Sequence, residues 1–99
     1  MFLAECYAPG LTTDRFNRDS NAIRQAAAAM TAAGRFVQCQ YSVHVPSDDL
    51  ALYIIDTTSA THIQQLGDNA AVTFDRILAC LTALNPDDPT HTENAVLNT

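Results

Sequence analysis

Two apolar runs on either side of Pro46-Ser47-Asp48-Asp49 constrain this chain more than any other feature. Along 36–45 the pattern has a period of two. Val37, Cys39, Tyr41, Val43 and Val45 fall on one side of an extended strand, and Gln38, Gln40, Ser42 and His44 fall on the other. Leu50-Ala51-Leu52-Tyr53-Ile54-Ile55 returns as a second, more uniformly apolar strand. The stretch 36–56 is therefore predicted to be a β-hairpin with one buried face and one polar face. The polar face is where a ligand is expected.

The flanking segments supply the other elements. Residues 2–7 form a short apolar strand stopped by Pro9-Gly10, which cannot continue it. Thr12 or Thr13 can cap a helix over 14–33, with Asp14 in its first turn and Phe16, Ser20, Ile23, Ala27 and Met30 at helical spacing. Gly34 stands where a left-handed residue would end it. After the hairpin, Thr57-Thr58-Ser59 offers capping hydroxyls for a shorter helix with Ala60, Ile63 and Leu66 as its apolar stripe and Gly67 as its stop. A last strand is predicted over 74–84, with Ile77, Ala79, Leu81 and Ala83 alternating against Leu78, Cys80, Thr82 and Leu84. Asn85-Pro86-Asp87-Asp88-Pro89 terminates it, and 87–99 has too little to bury to be more than a flexible tail.

Strand, helix, strand, strand, helix, strand is the βαββαβ order of a ferredoxin-like α+β fold, here assigned to one domain over 1–86. Right-handed crossovers place both helices on one face of a four-stranded antiparallel sheet. The other face, expected to carry Leu3, Tyr7, Tyr53, Ile55 and Leu78, would then be a large apolar patch. Packing two such sheets together covers it, as a homodimer of the dimeric α+β barrel type with a cleft between the sheets.

Composition narrows the partners. The 99 residues are 47% hydrophobic, enough for one core. The net charge is −6, and the five basic residues are all arginine. Nothing supplies the basic surface that nucleic acid or an anionic membrane requires. No apolar run approaches the roughly 18 residues that span a bilayer, and a cytoplasmic location is the simplest expectation. Cys6, Cys39 and Cys80 are odd in number and set in apolar runs, as reduced core cysteines are.

Leu3-Ala4-Glu5, the Pro9-Gly10-Leu11-Thr12 exit, Tyr41-Ser42-Val43 followed by Pro46-Ser47-Asp48-Asp49, and Phe74-Asp75-Arg76-Ile77 resemble a small ferredoxin-like domain family of unknown function that includes bacterial nickel-binding proteins. The resemblance spans 1–86 and implies a dimeric α+β barrel, with nickel or another divalent transition metal as the ion. Metal-binding members tend to carry a histidine directly before the hairpin serine. Here Tyr41 stands in that place.

Strand parity puts Glu5 with Leu3 and Tyr7, facing the cleft. Near it are expected Tyr53 on the neighbouring strand, with Gln40 and His44 across the sheet. Glu5, Gln40 and Tyr53 are the candidate ligand-binding residues. Glu5, His44 and His62 are the candidate metal ligands, because a carboxylate with imidazole suits a borderline divalent ion. A hydrogen-bonded network without any ligand is the competing account. His91 lies in the tail, and Asp48-Asp49 reads as turn chemistry.

Two function classes follow. One is a small dimeric protein that binds a metal or small molecule without turning it over. The other is a cofactor-poor dimeric α+β barrel enzyme, of monooxygenase or isomerase type, acting on a small organic substrate. Such enzymes generally need a positioned His, Asn or Trp, and this chain has no Trp. The fold itself does not choose between them.

Overall fold

The computed structural model describes residues 1–81. Its elements are β1 (Phe2–Tyr7), α1 (Thr13–Ala32), β2 (Val37–Val45), β3 (Leu50–Thr57), α2 (Ala60–Ala70) and β4 (Arg76–Ala79), with a 3-10 turn at Pro46–Asp48. The strand order is β2-β3-β1-β4, and each pairing is antiparallel. This is the ferredoxin-like α+β arrangement. The last strand is shorter than its alternation predicts; residues beyond 81, including the predicted tail 87–99, lie outside the described residues. Among the described residues no helix is long and apolar enough to cross a membrane.

Local chemistry explains both helices. The Thr12 hydroxyl caps α1 by accepting the Arg15 N–H at 3.1 Å. At the other end Gly34 takes φ 96, its N–H donates to the Thr31 carbonyl, and the Arg35 N–H donates to the Met30 carbonyl. That pair of bonds is a Schellman motif, and glycine adopts the required backbone without strain. The Thr31 hydroxyl then both donates to the Val37 carbonyl and accepts the Val37 N–H, each at 3.0 Å, tying the helix end to the first residue of β2. Ile23, Ala27 and Met30 form the buried stripe of α1.

Gly67 does not stop α2. The helix continues to Ala70 and closes in a second Schellman motif, with Val72 N–H donating to the Gly67 carbonyl at 2.9 Å and Ala71 in the left-handed position at φ 57. The glycine is there for space instead: a Cβ on Gly67 would lie 2.7 Å from the Val72 carbonyl oxygen and 3.1 Å from the Phe74 ring.

The two sheet faces differ from the expectation at two positions on β3. Ala51, Tyr53 and Ile55 are essentially fully buried beneath the helices, together with Ala4, Ile23 and Ile63. Tyr53 and Ile55, expected on the open face, therefore belong to the core, and Leu52 and Ile54 stand on the open face in their stead. Both parities of β3 are apolar, so alternation gave no signal. Pairing decides it, because Ala4 faces Tyr53 across the ladder while Leu3 faces Ile54.

Candidate functional site

A β-bulge divides the expected site between two faces. In the pairing of β2 with β3, Cys39 opposes Ile55 but Tyr41 opposes Ile54, so Gln40 is an extra residue and the parity of β2 flips there. The Cys39 thiol donates to the Tyr41 carbonyl at 3.5 Å and lies 3.7 Å from the Ser42 hydroxyl, bridging the irregularity from within. Beyond it Ser42 and His44 share the helix side with Tyr53 and Ala51, whereas Tyr41 and Val43 emerge on the open face, 62% and 44% exposed. The predicted polar face thus exists only before the bulge.

The five candidate residues separate accordingly. Glu5 lies half-buried on the open face, opposite Leu52 on one side and Arg76 on the other. Gln40 is exposed at the bulge. Tyr53 and His44 are on the opposite face from Glu5, where Phe16 of α1 stacks on His44 with centroids 5.1 Å apart and on Tyr53 at 6.3 Å. His62 sits in the first turn of α2. No group of three or more His, Cys, Asp or Glu side chains converges to hold a metal ion among the described residues. Glu5, His44 and His62 do not form a common ligand set within one chain.

His62 nevertheless has a defined orientation. The Thr57 hydroxyl donates its single proton to the Phe36 carbonyl at 2.8 Å, so the 2.9 Å contact between Thr57 Oγ1 and His62 Nδ1 must be donated by the ring. In the neutral form of the ring this contact places the proton on Nδ1 and leaves the lone pair on Nε2. The sequence signal for this is the Thr57-Thr58-Ser59 run, whose hydroxyls the capping pattern alone accounts for. Ser59 does cap α2; Thr57 instead points into the core side and orients the histidine.

Burial pushes the Tyr53 hydroxyl up to about 12, against a smaller opposing pull from Ser20. The folded value lies above the unfolded value of 10.0, so the stability it represents is intact below pH 10 and drains away between pH 10 and about 12. The loss amounts to about 2.7 kcal/mol at most, two pH units at about 1.36 kcal/mol each. Urea midpoints at pH 9.5 and 11.5 check this. Tyr53→Phe should flatten that segment of the profile, and an unchanged fall would assign the loss to other groups. Burial also raises the thiols of Cys6 and Cys39, which add their own loss from about pH 9 upward.

SCO4226 from Streptomyces coelicolor A3(2) shares the fold. Its crystal structure superposes with a TM-score of 0.64 at 20% identity, covering 83% of this chain and 98% of that one. At that identity the likeness speaks to architecture alone. No protein-family model matches the chain, and no curated protein does.

Proposed function

We propose that this chain works as a homodimeric small-ligand-binding protein whose two sheets pack open face to open face. The observation that carries the dimer is the apolar character of that face: Leu3, Val43, Leu52, Ile54 and Leu78 share it, with Tyr41 and Tyr7 at 62% and 60% exposure. A second copy is the fitting occupant on charge. In a chain of net charge −6, the centre of this face carries one carboxylate and one guanidinium, Glu5 beside Arg76, and is neutral. Two copies can meet there without the repulsion that the rest of the surface would impose. Sedimentation equilibrium at micromolar concentration tests it, with twice the chain mass as the expected result. A single-chain mass overturns the dimer.

A second reading keeps a divalent transition metal as the ligand, favoured by the Thr57–His62 pair. A ligating imidazole is ordinarily held by a hydrogen bond through its other nitrogen, as His62 is here. Metal-stripped protein titrated calorimetrically with nickel and zinc should show heat that His62→Ala removes and Thr57→Val weakens by about 10-fold or more. Absence of heat with both ions ends this reading. Binding that survives His62→Ala moves it elsewhere.

A further inference from the structure

A cleft of about 460 Å3 opens on the helix side where the end of β1, the first turns of α1 and the segment between α2 and β4 meet. That is within the range of small-molecule sites. The Cys6 thiol, Arg15, Arg18, Asp19, Thr73 and Asp75 line it. Two of the five arginines in an acidic chain are thus gathered in the first two turns of a helix, where the macrodipole already presents positive charge and a cation is disfavoured. The fold gives them little in return. Arg15 has no ion-pair partner among the described residues, and Arg18 reaches its sequence neighbour Asp19 only at 3.9 Å with its side chain 74% exposed.

One carboxylate of the cleft is preorganised. Asp75 Oδ2 accepts the Tyr7 N–H at 2.6 Å, and the Asp75 N–H donates to the Glu5 carbonyl at 2.7 Å, fixing the residue against the end of β1. Its second carboxylate oxygen, Oδ1, has no hydrogen bond among the described residues. Asp75 and Asp19 both stand within electrostatic reach of the Cys6 thiol, as does Arg15. A simple anion would meet these two carboxylates and a simple cation would meet the two guanidiniums. A ligand carrying both charges complements both kinds of group.

We propose that this cleft binds a free α-amino acid as its zwitterion, with the ligand carboxylate on Arg15 and Arg18 and its ammonium on Asp75 and Asp19. The Arg fork supplies paired donors for a carboxylate, and Asp75 supplies a fixed acceptor for an ammonium. Burial and the two aspartates push the Cys6 thiol up, against a smaller opposing pull from Arg15, so it presents a neutral floor. The assignment rests on the small-ligand reading and deepens it.

The test is calorimetric titration of the full chain, in chelator, with each of the twenty free L-amino acids. It is followed by the N-acetyl and methyl-ester forms of the best binder. At least one free amino acid should bind with a millimolar or tighter Kd, each blocked form should lose about 10-fold or more, and the amide resonances of Cys6 and Thr73 should shift. Arg15→Gln, at an exposed position, should fold and lose about 10-fold; Asp75→Asn should lose binding with the ammonium contact. No binding by any of the twenty overturns the assignment, as does equal binding of the N-acetyl form or full affinity in Arg15→Gln. Sedimentation of the same samples reports the dimer separately, so failure of one reading is not mistaken for failure of the other.

Discussion

Ile54→Asp is expected to leave a folded monomer, whereas Ile55→Asp should not fold. The two neighbours lie on opposite faces of β3: Ile55 is fully buried beneath the helices, and Ile54 sits half-exposed between Leu3 and Tyr41 on the open face. In the single chain an aspartate at 54 keeps contact with water and costs little. In a face-to-face dimer it becomes a buried carboxylate without a partner, at about 3 kcal/mol, and two-fold symmetry doubles it. About 6 kcal/mol is roughly a 10,000-fold rise in the dimer dissociation constant. Sedimentation with far-UV circular dichroism separates dissociation from unfolding. An Ile54→Asp protein that sediments like the parent would remove the open face from the interface, and Ile54→Val should retain the parent's behaviour.

Gly67→Val should lower stability by about 3 kcal/mol or more, and Gly67→Ala by about 2 kcal/mol, although helix propensity alone favours alanine over glycine by about 1 kcal/mol. Propensity loses because a Cβ at 67 would stand 2.7 Å from the Val72 carbonyl oxygen and 3.1 Å from the Phe74 ring. That carbonyl belongs to the residue whose N–H closes α2 on the Gly67 carbonyl, so moving it disturbs the turn. Ala71→Gly should act in the opposite sense, gaining about 1 kcal/mol by relieving a side chain held at φ 57. For a domain this size each kcal/mol corresponds to about 4–8 °C in Tm. Thermal melts of the three variants decide it; a Gly67→Ala protein as stable as the parent would mean that the turn relaxes freely.

Local rules carried much of this molecule. Thr12 and Gly34 bracket α1 because a hydroxyl that accepts an N–H and a residue free to take positive φ are properties of single residues and their immediate neighbours. Period-two and helical alternation named the elements, and their order named the ferredoxin-like arrangement, whose topology rules are general. Glu5 on the open face beside Leu3 and Tyr7 also followed, since β1 is regular throughout.

Three things were decided by tertiary structure alone. The bulge at Gln40 has no residue signature, being an accommodation between β2 and the pairing it enters; a one-residue slip moves every later side chain to the other face, and so it separated His44 and Ser42 from Glu5. The face of β3 rested on which of two equally apolar sets met the helices, a question its own residues do not answer. Gly67 reads as a helix stop by composition and is a contact by geometry, because what excludes a side chain there comes from Val72 and Phe74 across the turn. Backbone capping is encoded within a few residues. Strand register, the face a side chain takes after an irregularity, and the space available to it depend on partners distant in the chain or folded back against it, and these exist only once the sheet and its helices have come together.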